Sequence, residues 1–223
     1  MPTVFITGAN RGLGFEFAKQ SAADGWRVIA ACRDPAKAEA LSAVEGDVQV
    51  ETMDVDDDAS VASLSDKLKD EAIDLLINNA GIYGPKHLSA EDMDYEAWGR
   101  VLRTNTMSPF RVTMAFLQQV RNSDQKIIAT LSSKMGSLNE NQDGGEYIYR
   151  SSKAALNAAL KGLSYDLADT GIRIMLMHPG WASTDMGGPS APLLPADGVA
   201  GLRKVLAGIK DGETGVFYDY NGG

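Results

Sequence analysis

The sequence is poor in the residues that staple or metallate small proteins: one cysteine and two histidines in 223 residues, with aromatics at only 7%. Cys32 alone cannot form a disulfide within the chain, which fits a reducing compartment, and it reads as a small buried hydrophobe. His87 and His178 are widely separated, nothing else supplies metal-ligand spacing, and no metal site is expected. His178 reads as structural. No apolar run approaches the roughly 18 residues that cross a bilayer. The start, Met1 to Gly8, has no basic region and too short an apolar stretch for a signal peptide. The expectation is a cytoplasmic protein with no membrane contact. Basic residues are outnumbered, 21 Lys and Arg against 30 Asp and Glu, for a net charge of -9. That balance argues against a nucleic-acid surface. Repeats and low-complexity linkers are missing as well.

What is present is alternation, in a chain 44% hydrophobic and long enough for one sizeable core. Val4–Ile6, Arg27–Ala31, Val48–Met53, Ile73–Ile77, Lys126–Leu131 and Ile172–Met177 read as strands, and Val216–Tyr218 as a last edge strand. Helical patterns fall between them: Phe15–Ala23, Pro35–Val44 with Asp34 as cap, Ala59–Lys69 opened by Asp58, Tyr95–Thr104, Pro109–Asn122 and Tyr149–Thr170. Such alternation implies right-handed crossovers and a single α/β domain, residues 1–223: a Rossmann-like, doubly wound parallel sheet with helices on both faces. Ligand then binds beyond the carboxyl ends of the strands, where the strand order reverses. The stretch 187–198, with three prolines, is the one long irregular segment and is expected to be a substrate lid.

Thr7-Gly8-Ala9-Asn10-Arg11-Gly12-Leu13-Gly14 joins the first strand to the first helix. Glycines there let the backbone turn tightly and approach a pyrophosphate, whose charge the helix N-terminus stabilises. A carboxylate at the end of the second strand would bind a ribose diol and repel a 2′-phosphate. This strand ends Ala31-Cys32-Arg33 instead, and Asp34 has the capping role open to it. Arg33 and Arg11 can present guanidinium forks to a phosphate, which favours NADP(H) over NAD(H). Tyr149 and Lys153 stand four apart, on one face of a helix, where an ammonium would favour the phenolate and lower the tyrosine pKa. The Asp56-Asp57-Asp58 run reads as charge gathered at a helix N-terminus.

The glycine spacing Gly-x-x-x-Gly-x-Gly resembles the short-chain dehydrogenase/reductase family, and the resemblance recurs along the whole chain. Asn78-Asn79-Ala80-Gly81, Asn105, Ser133, the Tyr149-x-x-x-Lys153 signature and Pro179-Gly180 with Thr184 beyond follow in the family's order. The stretches 149–157, 178–188 and 215–220 look like its C-factor and sniffer-type carbonyl reductase branch, which is linked to carbonyl reduction and, for C-factor, to signalling between cells.

The resemblance implies an oxidoreductase moving hydride between NADP(H) and a carbonyl or alcohol. Tyr149 would exchange the proton and Lys153 would lower its pKa and hold the nicotinamide ribose. Ser133 would donate to the substrate oxygen, and Asn105 would position a water behind Lys153. Ser133 is preferred to its neighbour Ser132 because it stands three residues before Gly136. Asp54 and Val55 would contact the adenine, and Thr184 the carboxamide. Gly8, Asn10, Arg11, Leu13, Gly14, Arg33, Asn79, Ala80, Gly81, Pro179, Gly180 and Ala182 complete the implied cofactor contacts. The interval from Ser133 to Tyr149 is long for the family, so the loop 136–146 bears on substrate identity. The alternative is a cofactor-binding signalling or regulatory protein on the same fold. An extended-fold sugar-nucleotide epimerase is disfavoured by chain length and glycine spacing. The helices 109–122 and 149–170 carry apolar residues beyond one face, among them Phe110, Met114, Phe116, Leu117, Leu156, Leu160 and Leu163; the family commonly pairs these two helices across a two-fold axis, so the resemblance implies a homodimer or homotetramer.

Overall fold

Alternating burial along the strands explains the architecture. In the computed structural model, which describes all 223 residues, Val4 and Ile6 of β1 (Thr3–Thr7) face one helix layer and Phe5 faces the other. The same alternation runs through β2 (Arg27–Cys32), β4 (Leu75–Asn78), β5 (Ile127–Leu131) and β6 (Arg173–His178), all buried on both faces. Strands buried on both sides take parallel partners, because the crossover helices cover both faces. With β3 (Val48–Thr52) and β7 (Val216–Asp219) they form one parallel sheet in the order β3-β2-β1-β4-β5-β6-β7.

One layer holds α1 (Gly12–Ala23), α2 (Glu39–Ser42) and α8 (Pro195–Ala207). The other holds α3 (Asp58–Lys67), α5 (Ser108–Ala115), α6 (Leu117–Arg121) and α7 (Tyr147–Asp166), with α4 (Tyr95–Leu102) packed on α7. Cys32 lies buried in the first layer's core, as expected of a small hydrophobe. No helix is long and apolar enough to cross a membrane.

Several local expectations are corrected. The predicted helix 35–44 is split into a 3-10 turn, Pro35–Lys37, and the short α2. Asp34 makes no cap hydrogen bond. In a 3-10 turn residues i and i+3 eclipse, and Asp34 pairs with Lys37 at 2.9 Å. Asp57, not Asp58, caps α3, accepting from the Ala59 amide at 2.9 Å. The helix from Tyr95 ends at Leu102 and continues as a π turn, Arg103–Met107, before α5. The irregular segment is shorter than expected, because Pro195–Gly198 is the first turn of α8, with proline at the position a helix start tolerates. Its remainder is pinned by a bridge between Ala182 and Leu193. Apolar residues of α7 predicted to reach a partner chain, Leu156, Leu160 and Leu163, are buried on the sheet, as are Phe116 and Leu117.

At the centre of the second layer Phe5 and Phe116, both fully buried, stack with centroids 4.4 Å apart. Phe116→Ala is expected to lower stability by about 3–5 kcal/mol, through lost burial and a residual cavity. Urea unfolding checks this; a loss under about 1 kcal/mol would mean that the layer repacks freely.

Candidate active site

The strand order reverses between β1 and β4, so their carboxyl ends part and leave a crevice. Two side chains fix its floor. The Thr7 hydroxyl accepts from the amides of Asn79 and Ala80, each at 3.0 Å, and donates to Ile77 O at 3.4 Å. The Asn79 side-chain amide donates to Thr7 O at 2.8 Å and Gly8 O at 3.0 Å. Gly8 and Gly12 adopt the left-handed region with φ of 64° and 54°. A Cβ on Gly14 would overlap Gly8 O and the Asn79 side chain. The loop therefore needs its glycines for close approach as well as for conformation. The N-terminus of α1 has no side-chain cap hydrogen bond and no acidic residue in its first turn. With no capping side chain, its first-turn amides fit a pyrophosphate.

On the other wall α7 brings Tyr149 and Lys153 to its buried face, 8% and 6% exposed. The Ser133 side chain lies close enough to the Tyr149 phenol to pull its pKa down, and its oxygen accepts from the Met135 amide at 3.1 Å, whereas the Ser132 hydroxyl donates to Asn157 Oδ1 at 2.5 Å. The geometry thus separates the two adjacent serines. Ser133 opens a 3-10 turn, Lys134–Gly136, seated on α7: a Cβ on Gly136 would lie 2.8 Å from the Lys153 carbonyl carbon. Lys153 Nζ donates to Leu131 O at 2.8 Å and lies 5.8 Å from the Tyr149 ring centroid. Burial lowers the Lys153 pKa to about 8.

The Tyr149 phenol departs from expectation. Burial pushes it up to about 12, against a smaller downward pull from Ser133. The Lys153 ammonium gives one of its donors to Leu131 O, and desolvation of the phenolate sets the direction of the shift. Asn105, fully buried in the π turn, accepts from Ile82 N at 2.9 Å and donates to Ile82 O at 2.8 Å and Ser152 Oγ at 3.0 Å. Tyr83, which sequence reasoning passed over, stacks on Tyr149 with centroids 4.3 Å apart.

The profile of the family described as short chain dehydrogenase matches residues 2–192. The chain belongs to the short-chain dehydrogenase family. C-signal of Myxococcus xanthus is 45% identical over 150 residues, 67% of this chain and 90% of that protein. The carbonyl reductase Sniffer of D. melanogaster superposes with a TM-score of 0.91 at 30% identity, covering 100% of this chain and 98% of that one. The NADPH-bound carbonyl reductase from chicken fatty liver gives 0.90 at 31% identity, covering 100% and 97%. Both the family and its C-factor and sniffer branch agree with the motif reading.

Among other short-chain dehydrogenase positions, Arg33 is exposed at the end of β2 and makes no ion pair. Arg11 holds Asp185 at 2.7 Å across the mouth, with both side chains mostly exposed. Thr184 packs against the phosphate loop, 3.4 Å from the place of a Gly12 Cβ. Asp54 Oδ1 accepts from the Asp56 amide at 3.0 Å, and Val55 O accepts from Arg111 at 3.0 Å, so this pair shapes the loop after β3. Gly180, at φ 77°, has Leu193 and Tyr220 against the place of its missing Cβ. Asn10 and Leu13 are half-buried in the loop, and Ala182 is buried under the segment bridged to Leu193. The His178 imidazole is half-buried with Nδ1 unpartnered, and burial lowers its pKa, which suits a structural residue.

Of the residues sequence reasoning missed, Thr7 carried a signal, since it is the first letter of the family's glycine motif. Tyr83 carried none. Thr7→Val keeps the shape but strands the Ala80 amide, the Asn79 amide keeping Ile77 O at 3.1 Å, and is expected to cost about 1–3 kcal/mol in thermal unfolding. An unchanged melting temperature would mean that the hydroxyl does not tie β1 to β4.

Proposed function

We propose that the protein is an NADPH-dependent carbonyl reductase. The observation that carries this reading is the buried Tyr149 phenol, beside Ser133 and the buried Lys153, facing a crevice whose other wall is an uncapped helix N-terminus. The NADPH-bound chicken reductase and Sniffer, alike over the whole chain, support it.

The nicotinamide cofactor, when bound, supplies the hydride. The chain does the rest. The first amides of α1 bind pyrophosphate, and Arg33, free of ion pairs, receives a 2′-phosphate with Arg11, whose exposed bond to Asp185 is weak and exchangeable. Lys153 orients the ribose hydroxyls, Thr184 takes the carboxamide, and Asn105 holds the π turn against the loop after β4. The segment between Trp181 and Leu194 covers the mouth.

Ser133 donates a hydrogen bond to the substrate oxygen, where negative charge develops. As the carbonyl carbon accepts hydride, the O–H bond of Tyr149 breaks and its proton passes to that oxygen, giving the alcohol. The resulting phenolate is held by Ser133 and the Lys153 ammonium. A phenol pushed up to about 12 keeps its proton through the neutral range, the state that reduction needs. C-signal, similar over two thirds of this chain, keeps a signalling role beside catalysis as the second reading.

The test is NADPH oxidation with a panel of aldehydes, ketones and quinones, beside NADH and beside Tyr149→Phe. Turnover is expected to prefer NADPH and to fall by about 10²–10⁴ in the variant. Lys153 is protonated below about 8 and neutral above, so kcat/KM for reduction is expected to decline as pH rises through that value. NADPH binding without turnover of any carbonyl would favour the signalling reading, and preference for NADH would sink the roles of Arg11 and Arg33.

The assembly follows from one stripe. Met107, Phe110 and Met114, at 57%, 37% and 45% exposure, line the outer face of the π turn and α5, and we propose that two copies pair there as a homodimer, alone or within a homotetramer. Sedimentation of the wild type as a dimer or tetramer, and of Phe110→Glu as a monomer, is expected; a monomeric wild type would end the proposal.

A further inference from the structure

The acidic run after β3 reads in sequence as charge gathered at a helix start, but only part of it serves that purpose. Asp57 caps α3, and Asp58 pairs with Arg111 at 2.6 Å. Asp56 turns away. Its carboxylate accepts from Thr104 Oγ1 at 2.6 Å through one oxygen and from Ser108 Oγ at 2.6 Å through the other. It makes no ion pair, and both hydroxyl-bearing residues are buried.

Thr104 and Ser108 bracket the π turn that holds Asn105. A π turn carries one extra residue, is rare, and is found frequently at functional sites. Here the turn is gripped from both sides. On the outer side stands Asp56. On the inner side Asn105 Nδ2 donates to Ser152 Oγ at 3.0 Å, and Thr106 Oγ1 donates to Ser152 O at 2.8 Å. Ser152 precedes Lys153, and its hydroxyl donates to Tyr149 O at 2.8 Å.

We infer that Asp56 is a positioning residue of the active site: by gripping Thr104 and Ser108 it holds the π turn in the shape that lets Asn105 and Thr106 fix Ser152, and with it the backbone that sets Lys153. The chemistry asks for a carboxylate. Two hydroxyls converge on it, Thr104 with Arg100 O as a longer second acceptor at 3.1 Å; a carboxylate offers an oxygen to each, and charge-assisted bonds of this length are the strong ones. An amide of the same shape offers one oxygen and turns a competing donor on the second hydroxyl. The clamp joins the loop after β3, on the adenosine side of the crevice, to the helix that carries Tyr149 and Lys153. Errors in its geometry appear at Lys153, because a small misplacement of a catalytic group costs rate out of proportion to stability.

This inference rests on the carbonyl reductase reading, so its test has a readout that needs no turnover. Asp56→Asn, Ser108→Ala and the double variant are made in the full chain. Steady-state kinetics, NADPH affinity by fluorescence and the titration of Lys153 by side-chain NMR, assigned with Lys153→Met, are then compared. Each single variant is expected to lower kcat about tenfold while the Kd for NADPH stays within about twofold. The double variant is expected to add little, because one clamp is broken in either case. The Lys153 pKa is expected to move from about 8 toward the ordinary lysine value as the loosened site admits water.

Loss of NADPH affinity in step with kcat would overturn the inference, placing Asp56 in cofactor binding. An unmoved Lys153 titration would overturn it as well. If the wild type reduces no carbonyl, the function reading falls, and the Lys153 titration alone decides the role of Asp56. If Asp56→Asn does not fold, Ser108→Ala, which removes one donor and leaves the carboxylate, gives the same readings.

Discussion

Everything at this site depends on the junction where Thr7 and Asn79 tie the end of β1 to the end of β4. The crossovers from these neighbouring strands leave toward opposite edges of the sheet, so no secondary structure bridges the gap between them. A single hydroxyl and a single side-chain amide satisfy the backbone groups the parting strands expose. They also fix the glycine loop in the shape that a pyrophosphate needs. The cost of ordering that loop is met in folding, before any ligand arrives.

The opposite wall is organised around a group the interior does not welcome. Lys153 lies almost wholly out of water, with one carbonyl as its hydrogen-bond partner, and its pKa falls accordingly. Nearby are other departures from local rules: a π turn at Asn105, a phenol pushed up by burial, and Glu146 in the left-handed region just before α7. Such departures persist where surrounding contacts over-determine them, and they gather at functional sites. Here the over-determination is visible as hydrogen bonds that converge on Ser152 from the π turn and on the π turn from Asp56.

Read along the chain, the strands were the most legible elements, because burial on both faces demands unbroken β-branched and aliphatic runs, as in Ile127–Leu131. Helix interiors were nearly as clear, except that the whole of α8, Pro195–Ala207, went unassigned. Their interruptions were not: the break at Ala38, the π turn after Leu102 and the start of α8 at Pro195 answer to packing against distant segments. Tyr149 and Lys153 could be picked out as candidates because their spacing encodes one helix face, and Ser133 and Asn105 because they match the family's motif order. Tyr83 and Asp56 could not, since an aromatic after a glycine and an aspartate in an acidic run have many uses.

The sequence by itself determined the doubly wound fold, the place of the crevice and the family, and it named the candidate central residues, since periodicity, glycine spacing and motif order are local properties that one chain reports directly. The tertiary structure alone decided where the Ser132 hydroxyl is spent, which aspartate caps and which bonds Thr104 and Ser108, and in which direction the Tyr149 pKa moves. Those outcomes depend on burial and on partners dozens of residues away: Asn157 for Ser132, Thr104 and Ser108 for Asp56, and Leu131 O for Lys153. Desolvation and hydrogen bonding act through space, and the folded chain alone sets those distances.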